Sequence, residues 1–565
     1  MKIDEIQVIF LAAGRGTRMK DIAYIPKPLL TIGDQAAIAL ALKPFLSYGF
    51  RKFAFVIGHD GNLIEYYMRS NYPTLNLSFH YIDEALGTAH SLYQVRHIYP
   101  AQSIMACHAD NIYLDNHFNN IELDTSFLFI NRDKVLKPYA YVKESNMKIV
   151  EALEKPKKFY SDLVISGLFY FIDSAPVWHA TEINFRKNKK SHAEWSLTDT
   201  VDTMVNELGL DIKVHIIDTP IHFGSQEEYQ ATIHTYDKKS DLIARAMNHI
   251  TIGKNNNKKI VHKESKSSLG SENLSTEISY LRSIPDNVNK HFPHLYNFTA
   301  NYYEMEFITG KNLSDYVHGK EIHSVTFLKA INSIANILKN DFHSQKIEPN
   351  IESVVYEYFS KTQMRLRAFQ SALKLNSNTL IINETECLNP IYLVNQLIES
   401  VNTVLNFKTM YFTIIHGDLN LTNIMYNAKN GKIKLLDPRG KYGKETFIFG
   451  DPSYDIMRII ACVDYGYDTI ARGDYLLEVS EEGIALKVDL PKLYLNAGEK
   501  VKKIMVNNFP DIPPVNYELQ SILYFLNLLP FHSDSIERSL AFYYWGTYYL
   551  NKWMKKQGDK YGIVY

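Results

Sequence analysis

The sequence predicts an α/β protein in two halves: a first half with a mixed, mainly parallel sheet, then a helix-rich α+β second half. Three observations carry this. Up to about residue 235, short apolar runs alternate with helix-periodic segments, the rhythm of a parallel sheet covered on both faces. Over 237–270 the composition turns polar, with Lys238, Lys239, Lys254, Lys258, Lys259, Lys263 and Lys266 around the run Asn255 to Asn257. Beyond residue 320, apolar residues recur at helical spacing.

In chain order, Ile6–Leu11 reads as a strand ending in small residues, and Ala36–Tyr48 has helical periodicity. Lys52–Ile57 is a strand closed by Gly58-His59-Asp60-Gly61; Ser103–Cys107 is another, stopped by His108-Ala109-Asp110-Asn111. A linker leads into a hairpin of Ile250–Ile252 and Lys259–His262 about the turn Gly253–Asn257. Val325–Lys339 and Tyr392–Leu405 follow as helices, Thr413–Ile415 and Lys432–Leu436 as strands, and the segment after about 515 as aromatic helix. The division this gives is 1–236, a linker 237–246, and 247–565, the last with a small lobe 247–310 and a helical large lobe 311–565.

Composition excludes several classes. Lys plus Arg is 61 against 62 for Asp plus Glu, a net charge of −1, so nothing in bulk draws the chain to nucleic acid or an anionic membrane. The three cysteines, Cys107, Cys387 and Cys462, are too far apart for a disulfide framework or a CxxC metal site. The first apolar run, Val8 to Gly14, ends at Arg15, too short for a signal peptide, and no run approaches the roughly 18 apolar residues of a membrane span. A cytoplasmic protein acting on small molecules is expected, with no membrane insertion; homo-oligomerisation stays open.

The first strand runs directly into Leu11-Ala12-Ala13-Gly14-Arg15-Gly16-Thr17-Arg18-Met19. Small residues let backbone approach a ligand closely, and consecutive amides in such a turn cradle phosphate. Arg15, Arg18 and, shortly after, Lys27 in Pro26-Lys27-Pro28 add the charge that a nucleoside triphosphate and its departing pyrophosphate require. This is neither GxGxxG nor a Walker loop.

These residues resemble the signature of the nucleotide-sugar pyrophosphorylase type of nucleotidyltransferase. The resemblance continues in order through Glu84-Ala85-Leu86-Gly87-Thr88-Ala89, Ala109-Asp110-Asn111, Glu154-Lys155-Pro156, Ser166-Gly167-Leu168-Phe169-Tyr170-Phe171 and Gly224-Ser225-Gln226-Glu227-Glu228-Tyr229. It implies a Rossmann-like (GT-A-like) domain. Ala12, Ala13, Gly14, Gly16, Thr17, Arg18, Gly87 and Thr88 would bind nucleotide, Arg15 and Lys27 would serve catalysis, and Glu154, Lys155 and Gly167 would bind the acceptor phosphate. Asp110 would bind Mg²⁺. The family's second metal aspartate, two residues before the closing glycine, is replaced by His222. In the implied reaction a phosphate monoester attacks the α-phosphorus of a nucleoside triphosphate; being ionised already, it needs no general base.

A second constellation is His416-Gly417-Asp418-Leu419-Asn420-Leu421-Thr422-Asn423, followed one strand later by Asp437-Pro438-Arg439-Gly440. Asp418 could take a hydroxyl proton, while Asn423 and Asp437 offer hard oxygens to Mg²⁺. With Gly450-Asp451-Pro452-Ser453-Tyr454-Asp455, this resembles the aminoglycoside phosphotransferase and choline kinase branch of the bilobal protein-kinase-like fold. The resemblance implies that Lys263 in Val261-His262-Lys263 holds ATP phosphates with Glu277 as its helix partner, that Tyr303 to Gly310 forms the adenine hinge, and that His416 and Asp455 are structural. The late aromatics Trp545, Tyr549 and Trp553 share one helical face and read as core packing, an aromatic cage for a quaternary ammonium being the alternative.

Together the resemblances imply a bifunctional enzyme. The second half would phosphorylate a sugar or small alcohol with ATP. The first would couple the phosphate monoester to CTP, UTP or dTTP, releasing pyrophosphate and giving a donor for surface (capsular) polysaccharide. The alternatives are a kinase–cytidylyltransferase making an activated choline, ethanolamine or polyol, and a chain in which one half is a non-catalytic regulatory module.

Overall fold

The computed structural model describes residues 3–14, 25–32, 35–187, 195–236, 248–255, 258–265, 268–446 and 448–561. The chain forms two compact units, Met1–Asp241 with Ser533–Ile536, and Leu242–His532 with Glu537–Tyr565. The expected linker 237–246 lies outside the described residues.

The first unit is built on a nine-stranded sheet, counted among the described residues. Its strands are β1 (Gln7–Ala12), β2 (Lys52–Ile57), β3 (Asn76–Tyr81), β4 (Ile104–His108), β5 (Phe127–Arg132), β6 (Ala140–Ser145), β7 (Lys148–Glu154), β8 (Leu163–Phe171) and β9 (Lys213–Ile216). They lie in the order β3-β2-β1-β4-β8-β5-β9-β7-β6. The strip β3-β2-β1-β4 is parallel. Beyond it β8 runs antiparallel to both β4 and β5, β9 is parallel to β5, and β6 and β7 form a hairpin. The sheet is therefore evenly mixed rather than mainly parallel. Asn146 and Met147, at φ 53° and 62°, make the two-residue turn between β6 and β7, and strands joined so tightly can pair only antiparallel.

The parallel strip is covered on both faces by α1 (Ala37–Tyr48), α2 (Gly61–Asn71), α3 (Ala175–Lys187) and α4 (Leu197–Asn206). Alternation along β1 divides the work: Ile9 joins the core that includes Leu92, Val177 and Val201, while Phe10 points oppositely and meets Phe45 of α1 edge-on at 5.5 Å. Because β1 neighbours both β2 and β4, the chain leaves it one way and returns on the other side. Ligands of such sheets bind in the crevice at that switch point, at the C-terminal strand ends.

The second unit opens with an antiparallel sheet of β10 (Asn248–Asn255), β11 (Lys258–Ser265), β12 (Leu295–Phe298) and β13 (Tyr302–Glu306), ordered β10-β11-β13-β12. Helix α5 (Ser268–Ser283) packs on it through Leu274 and Ile278, against Tyr303. Then come α6 (Ser324–Ile337), extended by a π-helical turn at Leu338–Phe342, and α7 (Lys361–Leu373). The expected helix at Tyr392–Leu405 is split, because Ser400 at φ −99°, ψ 15° leaves helical geometry between Pro390–Glu399 and Val401–Val404. A hairpin of β14 (Ile424–Tyr426) and β15 (Ile433–Leu435) follows. Helices α8 (Ser453–Val463), α9 (Lys492–Asn508), α10 (Pro514–Asn527) and α11 (Ile536–Gln557) complete the unit, with α8 buried at every position between α9 and α10. Trp545 and Trp553 of α11 are 7% exposed, and the Trp545 indole donates to the Tyr465 carbonyl at 2.8 Å, so that stripe is core. Among the described residues no helix is long and apolar enough to cross a membrane.

Candidate active sites

In the first unit the loops at the C-terminal ends of β1 and β4 flank the switch point. Ala12 and Ala13 are buried there and Gly14 is exposed; Arg15, Gly16, Thr17 and Arg18 lie outside the described residues. Lys27, in a short 3₁₀ turn, donates to the Gly224 carbonyl at 2.5 Å, which ties the early basic segment to the closing motif.

Asp110 follows β4, and its carbonyl accepts from the Phe223 amide at 3.2 Å. A Cβ on Gly224 would lie 3.1 Å from Asp110 Oδ2 and 3.5 Å from Glu228 Oε2, so both carboxylates flank this glycine. Glu228 caps its own helix, accepting from the Ser225 amide at 2.9 Å and from the Tyr139 hydroxyl at 2.7 Å. Burial opposes its ionisation, but those donors together with nearby His222 outweigh it and hold the carboxyl below its usual range. His222, opposite Asn111 in a two-residue strand pair, holds Asn111 Oδ1 at 2.8 Å through Nδ1, and burial lowers its pKa despite the nearby Glu228 and Asp110. Glu228 was not singled out by the sequence. It sits in the closing segment, where only its extra methylene over aspartate hints at a longer reach. Gly167, at φ 81°, lies beneath this group; a Cβ there would stand 2.6 Å from Asn111 Nδ2 and 2.8 Å from His108 Nδ1.

The segments around Gly87 and Glu154 form a second group. Gly87, at φ 123°, abuts the Trp195 backbone so closely that any side chain would collide with it. Ala89 N donates to Trp195 O at 3.0 Å, Trp195 N to Leu86 O at 2.8 Å, and Leu197 N to Thr88 Oγ1 at 3.0 Å. The Thr198 hydroxyl donates to Glu154 at 2.7 Å, bringing Glu154 to the same place as Gly87 and Thr88. Lys155 is exposed at φ 47°, its Nζ 3.6 Å from Glu154.

In the second unit the predicted residues meet. Lys263 on β11 lies opposite Tyr303 on β13. Its Nζ is 2.8 Å from both Glu277 Oε2 on α5 and Asp437 Oδ1 beyond β15, and the Tyr303 hydroxyl gives Glu277 a further bond at 2.6 Å. Lys263 is 4% and Glu277 6% exposed. Burial pushes Glu277 up to about 7, against the pull of Lys263. Lys263 stays protonated: desolvation works against it, and the two carboxylates prevail. Gly440, at φ 68°, fits its loop against the Thr276 carbonyl, next to Glu277, where any Cβ would collide.

Asp418 follows the strand Thr413–Ile414. Asn420 Nδ2 donates to it at 2.7 Å, Asn423 Nδ2 at 3.1 Å, and Arg458 Nη1 stands 3.3 Å from Oδ1. The loop is held by Asp455 on α8, whose carboxylate accepts from the His416 and Gly417 amides at 2.8 Å each. Burial raises Asp455 to about 7 and lowers His416 to about 4. The loops are joined where Leu436 N donates to Asn423 O at 2.8 Å and Arg439 N to His416 O at 2.9 Å. Two residues here carried no sequence signal: Arg458, and Glu357, which pairs with Arg439 of the Asp437-to-Gly440 motif at 2.9 and 3.1 Å. Glu357 comes from the π-helical turn Tyr356–Ser360 and Arg458 from α8, and only tertiary packing brings them to these loops.

Among the described residues no three His, Cys, Asp or Glu side chains are arranged to hold a metal. A divalent ion at either site would lean on one or two protein oxygens and on nucleotide phosphates, which suits Mg²⁺.

Residues 7–218 match the nucleotidyl transferase family model. A UTP–glucose-1-phosphate uridylyltransferase of Haloferax volcanii is 23% identical over 210 residues, 35% of this chain and 84% of that protein. The bifunctional protein GlmU of Methylibium petroleiphilum is 33% identical over 89 residues, 16% of this chain and 19% of its own. A solved nucleoside-diphosphate-sugar pyrophosphorylase of Vibrio cholerae aligns at 18% identity over 40% of this chain and all of its own, with a TM-score of 0.36. The N-terminal half of the chain is a nucleotidyltransferase-type domain similar to the sugar pyrophosphorylases.

Proposed function

We propose that the chain is a bifunctional enzyme. Its second unit phosphorylates a small hydroxyl compound with ATP, and its first unit transfers a nucleotidyl group to the resulting phosphate monoester, releasing pyrophosphate. The nucleotidyl half rests on the family match over residues 7–218. UTP with a sugar 1-phosphate is the substrate pair that the Haloferax relative's name favours. The kinase half rests on one observation: the Lys263 ammonium held at 2.8 Å by both Glu277 and Asp437. That arrangement suits a lysine presented to ATP phosphates beside a carboxylate presented to their Mg²⁺.

In the first unit, Arg15, Arg18 and Lys27 neutralise the triphosphate, Gly87 and Thr88 contact the nucleotide, Glu154, Lys155 and Gly167 shape the acceptor end, and Asp110 with Glu228 supplies hard oxygens to a divalent ion. In the second, Asp418 takes the acceptor proton while Asn423 and Asp437 face the metal. The product is a nucleotide-activated donor of the kind used to build surface polysaccharide.

A matrix assay tests this. The full chain is incubated with each nucleoside triphosphate and a panel of sugar and alcohol phosphates, and pyrophosphate is followed. Turnover with a hexose 1-phosphate and a pyrimidine nucleotide is expected. Turnover with phosphocholine and CTP alone would replace this reading with a cytidylyltransferase; pyrophosphate from no pair would remove the nucleotidyl half.

A further inference from the structure

We propose that the acceptor phosphorylated by the second unit is a polyhydroxy compound without positive charge, a neutral or acidic sugar or polyol, and that Arg458 sets this preference. The inference rests on the kinase reading above and adds the acceptor class to it.

A cationic acceptor needs aromatic faces or free carboxylates near the attacking hydroxyl. Beside Asp418 the aromatic faces are taken. Arg458 Cζ lies 3.9 Å from the centroid of the Tyr524 ring and 5.0 Å from that of Tyr454, while its Nη1 pairs with Asp418 at 3.3 Å. Arg458 is 5% exposed, so this guanidinium is a fixed part of the wall. A second cation there would meet it in a poorly screened interior.

The nearby carboxylates Glu357 and Asp451 are also committed. Glu357 takes Arg439 on both oxygens at 2.9 and 3.1 Å, the Gly443 amide at 3.1 Å and the Tyr454 hydroxyl at 3.3 Å, besides Lys361. Asp451 takes the Tyr358 hydroxyl at 2.6 Å and the Ser453 amide at 2.9 Å.

What remains suits hydroxyl groups. Gln520 lines the same cleft as Glu357, Tyr454 and Tyr524, is 3% exposed, and spends its amide nitrogen on Ser453 at 2.7 Å. Its Oε1 has no partner among the described residues, and neither does Arg458 Nε. One is an acceptor and the other a donor. A polyol hydroxyl serves either, whereas a trimethylammonium group serves neither and would leave both unmet.

The test uses the full chain with ATP and Mg²⁺, and ADP release as readout. The acceptors are glucose, mannose, glycerol, ribitol, glycerate and glucuronate against choline and ethanolamine. A polyhydroxy acceptor is expected to exceed both amines by about tenfold or more in kcat/KM. Arg458→Met is expected to lower kcat for that acceptor by about tenfold while KM for ATP holds within about twofold, with Arg458→Lys restoring part of the loss. Choline or ethanolamine as the better acceptor overturns the inference, as does ATP binding without phosphorylation of any polyol in the panel. Absence of both ATP binding and ADP formation overturns the kinase reading itself. If Arg458→Met does not fold, the wild-type panel decides alone.

Discussion

The two units hold their candidate chemistry in opposite ways. In the first, the residues lie in loops at strand ends, several are exposed, and much of the positive charge expected there belongs to a segment outside the described residues. Lys27 spends its donor on the Gly224 carbonyl, and Lys155 sits on the surface. In the second, Lys263, Glu277 and Asp437 are already drawn together, and Asp418 is fixed by two asparagines and an arginine. Isolated phosphate-binding loops repel themselves electrostatically and gain their counter-charge from the ligand. A lysine flanked by carboxylates can be buried without any ligand, because each group neutralises the other. Local motifs thus spell out the first site and the packed core assembles the second.

The largest expected effect tests whether the two sites work independently. Asp418→Asn should cut ATP-dependent phosphorylation by about 10²-fold or more, since an amide cannot take the acceptor proton. Pyrophosphate release from a pre-phosphorylated acceptor should stay at the wild-type rate. A parallel fall in both activities would erase the separation of the two units.

Burial makes the next prediction specific to the second unit. Lys263→Met leaves Glu277 and Asp437 without their ammonium, and removing one member of a buried ion pair costs about 3–5 kcal/mol. Urea unfolding should register this loss, and adding Glu277→Gln should recover part of it. A strictly additive double variant would mean that the pair is not coupled.

For the first unit, Arg15→Ala should lower nucleotidyl transfer by about a hundredfold while leaving stability nearly unchanged. A variant that loses stability instead would show Arg15 to be structural. The smallest effect concerns metal. Glu228→Gln should raise the Mg²⁺ concentration needed for half-maximal pyrophosphate release by about several-fold, because a carboxylate near Asp110 becomes a dipole. An unchanged Mg²⁺ titration would assign Glu228 to helix capping alone.

The sequence by itself determined the order of parts: a first strand ending in small residues, the hairpin with Lys263, the loop from His416 to Asn423, and the terminal aromatic helix. These were legible because each is local, set by periodicity of 2 or 3.6 and by turn residues within a few positions. Tertiary structure alone decided what meets across the chain. It made half of the strand pairings in the first sheet antiparallel, brought Glu228 and Asp110 together at Gly224, and set Arg458 between Tyr454 and Tyr524 against Asp418. Side-chain contacts between residues far apart in the chain leave no periodic trace in a single sequence. They arise when helices and strands bury their apolar faces and the polar groups caught between them must find partners there.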